Sequence, residues 1–430
     1  MSTPTLRWLQ IHQYEQFEPA RIDFSRSENL ILGLNGAGKT QLLKLIRAVL
    51  HLDFGEFLRQ PFDVEFELST HGVGEDAAAI VVRGHVFNAI HLPRFQNSED
   101  LLKKLDKAAE ESDTLGATVH FESDGGGFSL VLAGDTIRYQ ADDGSFVEEY
   151  AYRDRGELKP RKLVTAQGPS LKQMTGSLLP VCEACFVGES DREFEVLTNS
   201  LEFSFGRYFD PKHLATFTGF GDGTGRMWWH DVVRLLVRAW SSRENRWLNG
   251  VDLAIPVELL DKWQAPLRIR KITLHPQVVR EAVRDGEPEF ECRGLGLRVD
   301  LGAGTRVAHS GLTFGQRRYL YAGLVSLPRP GIPIVCDEID NGMHPRLVRN
   351  LLELWDARQL FLASHNHLVI DSTNFWSPQD ISEKIHIIRR RGDGRQVVNT
   401  FDEAMARELY KNIEVGLQSP SDVLEAEGLW

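Results

Sequence analysis

Two stretches of this 430-residue chain hold residue types at spacings suited to phosphate chemistry. GLNGAGKT, Gly33 to Thr40, fits G-x-x-x-x-G-K-[ST] in full, between the apolar run NLIL and the helical pattern QLLKLIRAVL. Glycines let backbone N–H groups turn inward around a β-phosphate, and the N-terminus of the following helix adds partial positive charge. Asn35, Gly36, Ala37, Gly38, Lys39, Thr40 and Gln41 are therefore the candidate nucleotide-binding residues. Lys39 is expected to reach the β- and γ-phosphates of ATP, and the Thr40 hydroxyl to ligate Mg2+. In the second stretch, IPIVCDEID, the apolar Ile332, Ile334, Val335 and Cys336 run into Asp337 and Glu338. A buried parallel strand is apolar on both faces and its C-terminal end points at the ligand crevice. Asp337 is the candidate second metal residue, acting through water, and Glu338 the candidate general base. Two adjacent carboxylates at such a place are costly unless a cation meets them.

Three further segments follow in order. LTFGQRR, Leu312 to Arg318, is similar to the signature LSGGQ or LSSGxxR, with Thr313 for serine and Phe314 for a small residue. DNGMHP, Asp340 to Pro345, resembles a D-loop, and FLASHNH places His365 after an apolar run, like a switch histidine. On these motifs the chain resembles the ABC-type ATPases, in particular the soluble branch with the SMC, RecF and OLD-like proteins and many prokaryotic defence ATPases. The motifs lie at the two ends of the chain and leave the middle uncovered. The resemblance implies an α/β P-loop head that binds ATP and Mg2+ and forms an ATP-sandwiched head-to-tail homodimer. It implies that Thr313, Gly315 and Gln316 of one subunit cap the γ-phosphate bound by the other, and that His365 bonds that phosphate and positions water. Phe314 is expected to alter packing in the signature loop and slow turnover.

These residues need a frame, and the patterning supplies one. LRWLQIHQYEQF, PARIDFS and ENLILGLNG read as strands and KTQLLKLIRAVLHL as a helix. VEFELST, AAIVVRGHVF, ATVHFES, FSLVLAGDTIRYQ and FVEEYAYR read as short strands, interrupted by a helix over 98–113 with Ser98 as N-cap. Residues 153–170 read as a surface loop, 227–240 and 256–263 as helices, and LRIRKITLH as a strand. KIHIIRRRGDGRQVVNTF reads as a hairpin turning at Gly392, Asp393 and Gly394. The expected division is 1–60 and 301–430 as one discontinuous head, 61–170 as a β-rich insertion and 171–300 as a mixed, partly helical one. Transporter ATPase subunits place the signature much sooner after the phosphate loop, and SMC arms need sustained heptads, which residues 51–311 lack.

Composition removes other classes. Hydrophobic residues at 42% and charged residues at 26% suit a globular chain, not a disordered one. No apolar run approaches the ~18–20 residues of a membrane span, and MSTPTLRWLQ does not read as a signal peptide. Four cysteines do not make a disulfide scaffold, so a cytoplasmic setting is expected. The net charge of −12 leaves nucleic-acid contact to a local groove or a partner. Too few residues follow His365 for an appended nuclease domain, so an effector, nuclease or toxin, is expected to be a separate protein. The leading expectation is a sensor or regulatory ATPase of a prokaryotic defence system; the alternatives are a RecF-like repair ATPase acting on DNA and a nucleotide-gated scaffold that hardly hydrolyses.

Several features stay open between two readings. Cys182 and Cys185 are half a zinc site or a thiol pair, and Cys292 stands alone. By resemblance to the RecF-like and OLD-like relatives, Glu189, Ser190 or Arg192 acts near the metal or the dimer partner; the other reading is an ordinary strand-to-loop turn. Trp228 and Trp229 are a buried helix face or a partner anchor. Arg389, Arg390, Arg391 and Arg395 contact phosphates or line a solvated hairpin. Gly219 to Arg226 reads as a loop, and SPSDVLEAEGLW as a capped helix or a docking tail.

Overall fold

A computed structural model describes residues 3–58, 60–71, 80–88, 115–123, 126–133, 136–144, 147–151, 158, 185–187, 202–205, 251–252, 266–284, 287–302, 305–326, 332–356, 358–373, 375–415 and 419–426. The chain divides into two compact units, the first Met1–Ala184 with Gly331–Asp337 and Ala357–Trp430, the second Cys185–Pro330 with Glu338–Asp356.

In the first unit, β1 (Thr3–Tyr14), β2 (Ala20–Asp23) and β3 (Glu28–Leu32) precede helix α1 (Lys39–His51). Strands β4 (Phe62–His71), β5 (Ile80–Asn88), β6 (Leu115–Ser123), β7 (Gly126–Ala133), β8 (Thr136–Ala141) and β9 (Val147–Ala151) follow. They join an antiparallel sheet of order β2-β1-β4-β5-β6-β7-β8-β9, which runs on past residue 60 without a break in pairing. Strict alternation along β5 buries Ile80, Val82 and Val86 and turns Arg83 outward, where it pairs with Glu67 and Glu122 on its two neighbours. FSLVLAGDTIRYQ is two strands rather than one, because β7 and β8 pair back on each other.

In the second unit, β10 (Cys185–Val187), β11 (Glu202–Phe205), β12 (Val251–Asp252), β13 (Lys271–Arg284), β14 (Glu287–Asp300) and β15 (Arg306–Ala308) lead to α2 (Phe314–Ser326). β13 and β14 form a long hairpin flanked by β11 and β12. The LRIRKITLH strand starts only at Lys271, since Arg268 has φ 56, outside the strand region. The helices expected over 98–113, 227–240 and 256–263, the loop 153–170 apart from Leu158, and the segments around Glu189 to Arg192, Gly219 to Arg226 and Trp228–Trp229 lie outside the described residues. So do Cys182 and the side chains of Cys185 and Cys292.

The rest of the chain alternates in type: β16 (Ile334–Cys336), α3 (Pro345–Trp355), β17 (Leu360–Ser364), α4 (His367–Asp371), α5 (Pro378–Lys384), β18 (Ile385–Arg390), β19 (Gln396–Thr400), α6 (Glu403–Glu414) and α7 (Pro420–Ala426). In the first unit β16, β17, β3 and β18 lie side by side in parallel, with β19 antiparallel beyond. All five residues of β17 and the last four of β3 are buried, as the interior of a parallel sheet requires. The C-terminal SPSDVLEA is a capped helix: Ser419 Oγ accepts from Asp422 N–H at 3.2 Å, and Asp422 Oδ2 accepts from Ser419 N–H at 3.1 Å. It docks through Ser421, bonded twice to Asp371.

One buried carboxamide ties the antiparallel sheet to the start of β17, and a second holds the approach to β3 against β17. Gln359 Oε1 accepts the Leu6 N–H at 2.7 Å, and its Nε2 donates to the Leu6 and Ser25 carbonyls. Asn29 accepts the Ser25 N–H and donates to the Ser25 and Leu360 carbonyls. Among the described residues no helix is long and apolar enough to cross a membrane.

His386, on β18 between Ile31 and Thr400, is fully buried and stands edge-on to Phe24 at 5.2 Å. Neither ring nitrogen has a hydrogen-bond partner among the described residues. Burial lowers its pKa to about 4, opposed by the weaker pull of Asp23. Between pH 6.5 and 4 the unfolded chain therefore takes up a proton that the folded chain refuses. Stability should be undiminished by this group above about pH 6.5 and fall by on the order of 3 kcal/mol as pH drops through 4. Equilibrium unfolding against pH checks this, and His386→Phe should flatten that part of the curve.

Candidate functional site

Parallel pairing places three candidate groups at one edge of the first unit's sheet. β3 ends at Leu32, in register with Ser364 of β17 and Ile387 of β18, so Gly33, His365 and Ile388 follow at the same level. β16 is in register with Leu360 to Leu362, and Asp337 leaves its C-terminal end. C-terminal strand ends are where open α/β sheets bind ligands.

The Gly33–Thr40 loop wraps its own lysine. Lys39 is buried, and its Nζ donates to the Gly33 carbonyl at 2.8 Å and the Leu34 carbonyl at 3.2 Å. Gly38 is the N-cap of α1 with φ 112, a backbone that disfavours any side chain, and supplies no capping group. No acidic side chain lies in the first turn of α1 either. By contrast α3, α5 and α6 are capped by His344, Ser377 and Asp402. The N–H groups at the start of α1 thus remain directed at whatever occupies the loop, which suits an anion. Asn35 and Gly36 are exposed, Ala37 is buried and Gln41 half-buried.

Behind the loop stand residues that sequence reading did not single out. Tyr14 donates its hydroxyl to the Gln41 carbonyl at 3.1 Å, and burial raises its pKa, so it remains a donor. The carboxamide of Gln396, buried on β19, closes on Gly38: a Cβ there would meet it at 2.6 Å. No local signal marks either residue, because each meets the loop from a distant strand.

Thr40 Oγ1 donates to Asp337 Oδ2 at 2.7 Å, joining residues 297 positions apart. Asp337 is buried. A hydroxyl and a carboxylate side by side are oxygen donors of the kind a hard divalent cation takes, with water completing its shell. His365 is exposed just past β17, where Ser364 Oγ accepts the Asn366 N–H at 2.9 Å and shapes the turn. The arginine-rich hairpin of β18 and β19 is tied down by Glu18, which pairs with Arg391 at 2.9 Å and Arg395 at 3.8 Å.

In the second unit the signature segment opens α2 as a capping box. Gln316 Oε1 accepts the Thr313 N–H at 2.9 Å, and Thr313 Oγ1 accepts the Gln316 N–H at 3.4 Å. The Phe314 ring lies over Gly342, where any Cβ would strike it, and the Gly342 carbonyl leaves Gly315 no room for one. Thr313, Gly315, Gln316, Gly342, His344 and Arg346 line a cleft of about 320 Å³. Glu338, half-buried, directly follows Asp337 in the chain and has φ 46.

A phosphate-binding loop after a central parallel strand, with an acidic strand end bonded to its threonine, defines a P-loop nucleoside triphosphatase fold. The fold is that of an ABC-type ATPase head, α/β in class. The family model described as "AAA domain" matches residues 9–129, from β1 through the phosphate loop into β7. Two solved structures are similar at low identity. A crystal structure of the SmcHead bound to the C-winged helix domain of ScpA shares 12% identity, with 92% of this chain and 98% of that chain covered, at a TM-score of 0.39. An Smc head domain with an extended coiled coil, bound to the C-terminal domain of ScpA and derived from Pyrococcus furiosus, shares 11%, with 96% and 100% covered, at 0.38. No curated protein matches the chain significantly.

Because Gly38 combines positive φ with the Gln396 contact, Gly38→Ala should cost on the order of 1–3 kcal/mol. A melting midpoint lowered by several degrees, measured without nucleotide, checks this.

Proposed function

We propose that the chain hydrolyses ATP with Mg2+ as an ATP-sandwiched head-to-tail homodimer. The observation that carries this reading is the Thr40–Asp337 bond beside an uncapped α1 and a buried Lys39. Asn35 to Gln41 cradle the phosphates, with Lys39 exchanging its loop carbonyls for phosphate oxygens. Thr40 and Asp337 hold Mg2+, which when bound neutralises charge on the phosphates. Glu338 takes the proton of the attacking water, and His365 donates a hydrogen bond toward the γ-phosphate. From the partner subunit, the Thr313 hydroxyl and the Gly315 and Gln316 region complete the site. Thr313 keeps a hydroxyl hydrogen for this purpose, since within its own helix it only accepts.

The finer reading is a cytoplasmic regulatory ATPase that senses a defence signal and controls a separate effector such as a nuclease or toxin. The net charge of −12 supports control of a partner above direct handling of DNA. A RecF-like repair role is the second reading. DNA binding that weakens steeply with salt would carry it, and no binding at low salt would count against it. The packing of Phe314 on Gly342 favours slow turnover, and near-zero hydrolysis with tight ATP-dependent association would make the chain a nucleotide-gated scaffold.

The reaction itself is tested at Glu338. Glu338→Gln should lower turnover by about 100-fold or more while ATP-bound dimers accumulate in size-exclusion chromatography. Turnover at the wild-type rate removes Glu338 as the base.

A further inference from the structure

The chain turns sharply at Glu338, and two side chains of the second unit grip that turn. Glu338 has φ 46, in the left-handed region that a residue with a Cβ avoids. Its carbonyl accepts two hydrogen bonds, from Asn341 N–H at 2.9 Å and from Arg318 Nη2 at 2.6 Å. Its carboxylate Oε2 accepts a third, from Asn341 Nδ2 at 3.0 Å. Such a conformation persists only where its surroundings over-determine it. Arg318 is 3% exposed and fixed along α2, whereas Asn341 is exposed.

We propose that Arg318 and Asn341 are positioning residues for Glu338: Arg318 locks the main-chain turn, and Asn341 aims the carboxylate. The proposal rests on the reading of Glu338 as general base. It has a consequence for the dimer. Helix α2 begins at the Thr313–Gly315 segment assigned to the partner's nucleotide, and about one helical turn further on it carries Arg318. The same segment also bears on the D-loop, through Phe314 over Gly342 and through Gly315 against the Gly342 carbonyl. One helix thereby links occupancy of the partner's site to the turn that presents this subunit's own base.

Asn341→Asp and Arg318→Met test this in the full-length protein, each alone and combined with Glu338→Gln. Asn341→Asp keeps the size, removes the donor and places a like charge beside the carboxylate. Steady-state kcat and KM, affinity for a fluorescent ATP analogue and the melting midpoint are measured for each. The expected result is kcat lowered about 10- to 100-fold with affinity unchanged in both, and with melting unchanged in the exposed Asn341→Asp. In the Glu338→Gln background neither variant should lower turnover further. An inactive Glu338→Gln beside variants with wild-type kcat overturns the positioning role and leaves the base reading standing. Losses of affinity in step with kcat in either variant, a melting loss in Asn341→Asp, or additive losses with Glu338→Gln overturn it in favour of a structural role. Wild-type turnover in Glu338→Gln overturns the base reading and the positioning role together. Should Arg318→Met fail to fold, the exposed Asn341 decides alone.

Discussion

The hydrogen bond from Thr40 to Asp337 is the contact on which the candidate site depends. It joins positions 297 apart, so it exists only because β3, from the start of the chain, lies between β17 and β18 from its end. A single sheet slip would carry Thr40 away from the acidic strand end. Gln359 and Asn29 hold that arrangement. Each spends its carboxamide on backbone groups of other segments, and a register that left those groups buried and unpaired would cost about 1–3 kcal/mol apiece. The polar core thus selects one pairing where burial of Val, Ile and Leu alone would tolerate several.

Helix capping sets α1 apart from the other helices. Thr313, His344, Ser377, Asp402 and Ser419 all satisfy the first turns of their own helices. Only at α1, among the helices with a described N-cap, does glycine stand in that place without a side-chain bond. Its tight backbone admits nothing larger, since Gln396 closes the loop from behind. The start of α1 therefore lacks the side-chain cap that the other described N-termini have, which suits an anion there.

This division explains how much could be read from the sequence. Gly33 to Thr40 and Ile332 to Glu338 are legible because the backbone geometry and the apolar strand are encoded within a few adjacent residues. The doubly buried strands β3 and β17 are legible for the same reason, as unbroken apolar runs. The single reading of FSLVLAGDTIRYQ failed because β7 and β8 are both strand-like in sequence and pair back on each other. Tyr14 behind Gln41, Gln396 behind Gly38, and Arg318 on the Glu338 carbonyl were not legible at all. Each meets its target across tens or hundreds of intervening residues, and nothing in a tyrosine, glutamine or arginine by itself announces such a meeting.

The unit boundary between Asp337 and Glu338 gives the adjacent carboxylates different physical attachments. Asp337 is bonded to Thr40 and belongs with the parallel sheet and phosphate loop. Glu338 is bonded to Arg318 and Asn341 and belongs with the signature helix. On the proposed reading, the residue that retains the metal and the residue that activates water therefore answer to different sets of contacts. On that reading, a disturbance of the signature helix reaches Glu338 through the Arg318 hydrogen bond to its carbonyl. Nucleotide can then be held while the base is misaligned, a state that an ATPase needs if its closed dimer is to last long enough to be sensed.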